Sequence, residues 1–103
     1  MSIKKTMNWH VYILRVSDDS LYTGITTDIK RRWHEHCHTK KGAKYFRGKT
    51  PLKIVFLEPG HDRSTASKRE AEIKKLSRKE KLKLIELSNL NDDQVLTITN
   101  TNV

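Results

Sequence analysis

Leu21–His36 reads LYTGITTDIKRRWHEH, and the rest of the chain is organised around it. The segment begins as a short strand, turns at Gly24, is capped by Thr26, Thr27 or Asp28, and continues as a helix. Gly24 suits a backbone that needs positive φ or an approach too close for a Cβ. A Thr or Asp just before Ile29 marks a helix start, because its side-chain oxygen accepts from the free amides of the first turn. Arg32 and His36 are four residues apart and share a helix face. With Tyr22 at the end of the preceding strand, a phenol, a guanidinium and an imidazole are expected to converge.

Working outward, Trp9–Val16 (WHVYILRV) is rich in β-branched and aromatic residues, as strands are. Its nearly continuous apolar run implies cover on both faces. Ser17-Asp18-Asp19-Ser20 is a turn signal, so Trp9–Val16 and Leu21–Ile25 form an antiparallel hairpin. In the helix over Asp28–His38, Ile29, Trp33 and either His36 or Cys37 make a buried stripe. Thr39–Thr50 is a basic segment punctuated by Gly42 and Gly48, with a helical turn over Ala43–Arg47. Leu52–Leu57 is a third strand, ended by Glu58-Pro59-Gly60. One helix runs from Ser64 or Thr65 to Leu76, and a further helix over Ser77–Ser88 carries Leu82, Leu84, Ile85 and Leu87. The domain is thus 9–88. It follows a loose basic leader, 1–8, and precedes an Asn- and Thr-rich tail, 89–103, which is either partly disordered or adds an edge strand over Val95–Thr99. The order predicts an α+β fold with a three-stranded, mainly antiparallel sheet flanked by helices.

The chain has 103 residues, 21 Lys and Arg against 12 Asp and Glu, and a formal charge of +9. The excess is concentrated. Lys30, Arg31, Arg32, Lys40, Lys41, Lys44, Arg47, Lys49 and Lys53 face one acid, Glu35, over the same span. Such a run is ordinarily a solvated surface, but with aromatic residues among the cations it points to a nucleic acid. The single cysteine, Cys37, excludes an internal disulfide. No apolar run is long enough to span a membrane, and MSIKKTMNWH lacks the apolar core of a signal peptide. The expected setting is cytoplasmic.

Glu70 falls within the apolar stripe of Ala66, Ile73 and Leu76 at about 100° per residue, whereas Glu72 points away. A carboxylate there needs a cationic partner or a metal. It is either salt-bridged to a nearby Lys or Arg or a ligand for Mg²⁺, which often takes one or two carboxylates and keeps its waters. Tyr12 and Tyr22, on neighbouring strands, are either packing residues or phenols that orient a water. A free phenol has a pKa of about 10, so base catalysis would need a nearby cation. Arg32 is suited to stabilising charge on a phosphodiester. In HEHCH, His34 and His38 have the i, i+4 spacing seen in zinc sites. Further ligands are not evident unless His10 or His61 approaches, and solvated or phosphate-facing histidines are the simpler reading.

Val11-Tyr12-Ile13, Tyr22-Thr23-Gly24, Arg32 with His36, and Glu70 within REAEIKKLSR together resemble the GIY-YIG nuclease superfamily. The likeness covers roughly residues 9 to 88. GAKYFRGKTPLKIVF strengthens the match to its small single-domain bacterial branch, related in its catalytic module to the N-terminal domain of the repair nuclease UvrC. Two departures stand out. The first signature reads His10-Val11-Tyr12, and Cys37 stands where the branch usually has Asn. The resemblance implies a metal-dependent endonuclease that hydrolyses phosphodiesters, DNA more than RNA. It implies Tyr12, Tyr22, Arg32, His36 and Glu70 as catalytic residues, Gly24 as the glycine of the second signature, and Glu70 as ligand to one Mg²⁺ or Mn²⁺. Lys40, Lys41, Lys44, Arg47 and Lys49 would grip phosphates, and Tyr45 or Phe46 would stack on a base. The alternative is a non-catalytic nucleic-acid-binding module that keeps the fold.

Overall fold

The run Trp9–Val16 forms β1, the middle strand of the sheet. Val11, Tyr12, Ile13, Leu14 and Val16 are all buried, because both faces of β1 are covered. The computed structural model describes residues 7–39 and 41–88. The expectations for most of the leader, for Lys40 and for the tail, including the strand over Val95–Thr99, lie outside these residues.

After β1 come β2 (Leu21–Thr26), α1 (Ile29–His38), a 3₁₀ turn (Lys44–Phe46), β3 (Pro51–His61), α2 (Arg63–Lys75) and α3 (Arg78–Leu87). The sheet order is β2-β1-β3, antiparallel throughout. Successive side chains of β1 alternate between faces and so divide the core in two. Tyr12, Leu14 and Val16 pack with Trp33, Phe46 and Ile54 on the α1 side. Val11 and Ile13 pack with Phe56, Ala66 and Ile73 on the α2 side.

The hairpin turns where expected. Asp18 accepts from the Ser20 amide at 3.1 Å, and Asp19 takes φ 69°, a conformation its short polar side chain tolerates. The expected turn at Gly24 does not occur. Gly24 lies within β2, directly opposite Tyr12. Its role is the close approach, since a Cβ there would sit 2.5 Å from the Tyr12 hydroxyl oxygen. The chain turns two residues later. Thr26 Oγ1 accepts from the Asp28 amide at 3.1 Å, and Asp28 caps α1 by accepting from the Arg31 amide at 3.0 Å.

β3 is longer than the sequence predicts, running through Glu58-Pro59-Gly60 to His61. β1 pairs Trp9 with His61 and Val11 with Glu58, so one extra β3 residue is accommodated there. Gly60, at φ 83°, supplies the bend. An edge strand tolerates Pro59 at such a bulge because the missing amide need not face a partner. Asp62 with Thr65, and Ser77 with Glu80, form capping boxes that start α2 and α3. α3 buries no residue completely. Leu84 and Ile85 pack against the α2-side core, while Leu82 and Leu87 remain exposed.

Candidate active site

The hydroxyl of Tyr12 and Nε2 of His36 lie 2.8 Å apart. β1 delivers the phenol to the α1 side of the sheet, and the second turn of α1 delivers the imidazole. Both residues are buried, Tyr12 at 1% and His36 at 5% exposure. Of the two candidates for the α1 stripe, His36 is the buried one, and Cys37 is only partly covered.

The His36 ring has its own polar partner at the other nitrogen. The Ala43 amide donates to Nδ1 at 3.3 Å. Burial, with the Arg32 charge adding to it, pulls the imidazole down from its ordinary 6.5 to about 4. The ring is therefore neutral at physiological pH. With Nδ1 an acceptor, Nε2 carries the proton and donates to Tyr12. Burial chiefly, with the Tyr22 and Glu70 charges, drives the Tyr12 phenol well above its usual range, against an opposing pull from Arg32. Tyr12 is thus held as a neutral phenol.

Arg32, one turn before His36, lies against the same phenol. Its Nη1 donates to Glu35 Oε1 at 3.0 Å and to the Lys41 carbonyl at 2.9 Å. Tyr22 is the second residue of β2 rather than its end. It completes the wall, with ring centroids 6.3 Å from Tyr12 and 5.4 Å from His36. The structure thus brings Tyr12, Tyr22, Arg32 and His36 together, as expected, with Gly24 leaving room for the Tyr12 ring.

Glu70 comes from α2. Its side chain is 25% exposed, against 67% for Glu72, which agrees with the helical phase read from the sequence. Its charge reaches Tyr12. Lys74 approaches its Oε2 at 3.5 Å, so a cationic partner, the plainer of the two readings, is present. A solitary carboxylate of this kind is compatible with an ion that takes one protein ligand and keeps its waters. Among the described residues no three His, Cys, Asp or Glu side chains group as a metal cluster. The His34 and His38 rings lie 4.8 Å apart, tilted by 45°, and among the described residues no further ligands of the kind a structural zinc requires group with them.

The basic segment divides by residue. Phe46 is 8% exposed and belongs to the core, so it is not available to stack on a base. Tyr45 donates to Ser20 Oγ and packs on Tyr22. Lys49 sits over the Tyr45 ring at 4.0 Å and pairs with Asp18 at 3.1 Å. These two residues brace the hairpin. Lys44 and Arg47 instead line a cavity of about 630 Å³ that His36, Gly42 and Ala43 also border. Lys41 is exposed on the same segment. The sequence marks Gly42 only as punctuation and Ala43 only as the start of a turn, and carries no sign that the Ala43 amide and the Lys41 carbonyl meet His36 and Arg32 through backbone atoms. The one available signal was a glycine in the basic segment shortly after the Arg32–His36 face.

The family profile of the GIY-YIG catalytic domain matches residues 8–83. The chain belongs to the GIY-YIG catalytic domain family. It is 50% identical over 80 residues to a UPF0213 protein of Desulfotalea psychrophila, covering 78% of this chain and 73% of that one. To the UPF0213 protein YhbQ of Escherichia coli K12 it is 46% identical over 77 residues, 75% and 76% of the two chains. The solution NMR structure of a UPF0213 protein from Bacillus halodurans is similar to it with a TM-score of 0.53 at 41% identity, covering 85% of this chain and 92% of that one. The α+β GIY-YIG fold and the small single-domain bacterial branch are thereby established. A GIY-YIG domain is a nuclease-family domain, which accords with the basic surface and a nucleic-acid partner. Among the described residues, no helix of this GIY-YIG chain is long and apolar enough to cross a membrane.

Proposed function

We propose that this GIY-YIG protein is a metal-dependent endonuclease that hydrolyses phosphodiester bonds, with DNA the favoured substrate. The observation that carries the proposal is the buried Tyr12–His36 pair, with Arg32 beside the phenol and Tyr22 forming the adjoining wall. Such a set costs free energy to desolvate and is better explained by chemistry than by packing.

Tyr22, the more accessible phenol, orients the attacking water. Tyr12, neutral and fixed by His36, presents its hydroxyl to the phosphate or to that water. Arg32 neutralises charge that develops on the phosphoryl oxygens. Glu70 would hold one Mg²⁺ or Mn²⁺, which would supply Lewis-acid stabilisation of the phosphate. Lys41, Lys44 and Arg47 grip the backbone. The Glu70–Lys74 ion pair favours a second reading, a binding module without turnover, because it satisfies the carboxylate with no metal.

The test is cleavage of labelled DNA and RNA substrates in Mg²⁺, Mn²⁺ or EDTA by wild type and Glu70→Ala. Metal-dependent products that disappear in the variant, with binding largely retained, are expected. Binding without products on every substrate would favour the second reading, and cleavage unchanged in the variant would remove Glu70 from the site.

A further inference from the structure

The loop after α1 holds Arg32 and His36 through backbone atoms, and it does so on both sides of Gly42. Before Gly42, the Lys41 carbonyl accepts from Arg32 Nη1 at 2.9 Å. After it, the Ala43 amide donates to His36 Nδ1 at 3.3 Å. Gly42 itself passes over the helix so closely that a Cβ would lie 2.7 Å from the Glu35 carbonyl oxygen and 2.9 Å from the His36 Cα. Both are backbone atoms of α1 and do not yield as a flexible side chain does. Thr39 ties the near end of the loop down. Its amide and hydroxyl donate to the Glu35 carbonyl at 3.2 and 3.1 Å, and its Oγ1 accepts from the Lys41 amide at 3.1 Å.

We propose that Lys41–Ala43 is a backbone clamp that fixes the orientation of Arg32 and the Nε2–H tautomer of His36, with Gly42 and Ala43 as positioning residues. The clamp rests on the nuclease reading for its catalytic consequence but not for its geometry. Its chemical content is specific. An imidazole has one proton in the neutral form, and the nitrogen that accepts from Ala43 cannot carry it. Nε2–H is then directed at the Tyr12 oxygen, 2.8 Å away. His36 in this state is a donor to Tyr12. It does not remove the Tyr12 proton, because Nε2 has no free lone pair in this tautomer. Without the Ala43 amide, the Nδ1–H tautomer becomes available and leaves Nε2 as an acceptor, which reverses the direction of the bond.

Lys41 belongs to the clamp and Lys44 follows it directly, so the residues that hold Arg32 and His36 lie within the same short segment as the phosphate-gripping cations.

Ala43 offers a direct test. Its φ of −61° and ψ of 145° already match proline, whose ring fixes φ near −65° and removes the amide proton. Ala43→Pro therefore deletes the donor without changing φ or ψ, but its ring Cδ takes the place of the amide hydrogen and displaces the His36 imidazole, whose Nδ1 lies 3.3 Å from that nitrogen, and Gly42→Ala lifts the loop by sterics. The experiment combines steady-state cleavage kinetics with nitrogen-15 imidazole spectra of the full chain, which distinguish the two tautomers. The wild type is expected to hold His36 as Nε2–H. Ala43→Pro is expected to show a tautomer mixture, with kcat lower by about tenfold, the scale of one neutral hydrogen bond, and KM nearly unchanged. Gly42→Ala is expected to lose up to roughly 100-fold, since small displacements of positioned groups cost that much.

A wild-type His36 in the Nδ1–H form would overturn the proposal. So would variants that match wild type in both tautomer and kcat, or a tautomer shift that leaves kcat unchanged. If the wild type cleaves nothing, the nuclease reading fails while the spectra still decide the clamp. If it cleaves and the variants cleave equally well, the clamp fails and the nuclease stands. Should Ala43→Pro not fold, the wild-type tautomer and Gly42→Ala decide the matter.

Discussion

His36 is buried, neutral and bonded at both ring nitrogens, which makes it a determinant of stability as well as a member of the site. Its folded pKa lies at about 4, below the ordinary 6.5. Between these values the unfolded chain binds a proton that the folded chain does not, so stability falls as pH falls through that window. The depression corresponds to at most about 3 kcal/mol, all of it present above pH 7 and lost by about pH 4. Urea unfolding of wild type and His36→Gln between these limits tests this. The variant should be less stable at neutral pH and should have a shallower acid slope, and parallel curves would show that His36 is not the titrating group. Asp18, held at about 2 chiefly by its bonds to Ser20, titrates below this window and does not confuse it. The same residue scale shows what a sequence conveys. Helical spacing placed Arg32 and His36 on one face, and did so correctly. It carried no sign of the Ala43 amide, because a backbone donor has no residue type. Gly24 was legible as a special position, but the reason was Tyr12 on the opposite strand, and a contact across strands depends on register.

At the scale of elements, α1 is where local sequence and site geometry meet. Asp28 caps it at 3.0 Å, and Thr26 fixes the approach to the cap. Loss of such a cap costs about 1 kcal/mol, which for a domain of this size lowers the melting temperature by roughly 4–8 °C. Asp28→Ala should show that drop by thermal unfolding, and Asp28→Asn should recover most of it. An equal loss in both would place the effect in the charge rather than in the cap. β1, the hairpin and the helices were legible because each announces itself locally, by an apolar run, an Asp-rich turn, a cap residue or apolar residues at helical spacing. The end of β3 was not. Glu58-Pro59-Gly60 has the composition of a strand stop, yet β1 has a residue to pair beyond it, and the strand continues through a bulge to His61. Tertiary pairing outweighed local preference there. The Phe46 expectation failed for a related reason. Its cationic neighbours suggested a surface, whereas the 3₁₀ turn directs the ring against Tyr22 and His36 at 5.0 and 4.7 Å.

Across the whole molecule, a formal charge of +9 overstates what is free to meet a polyanion. Arg32, Lys49, Arg69, Lys74 and Arg78 are engaged with Glu35, Asp18, Glu58, Glu70 and Asp19. Lys44 and Arg47, at the cavity beside His36, have no ion pair among the described residues. A cation already paired releases fewer counterions when a phosphate arrives, so equal charges need not contribute equally to binding. Reversing both Lys44 and Arg47 to Glu should therefore weaken DNA binding and reduce the slope of log K against log salt by about 2, close to one for each phosphate no longer neutralised. Lys49→Gln should change the slope less, because Lys49 is held by Asp18 and by the Tyr45 ring. Fluorescence anisotropy over a salt series measures all three slopes on one duplex. If the double variant keeps the wild-type slope, the nucleic acid lies elsewhere. The exposed lysines of α2 and α3, Lys68, Lys75 and Lys79 among them, would then be the surface to reverse, and Lys44 and Arg47 would retain only their place beside the clamp.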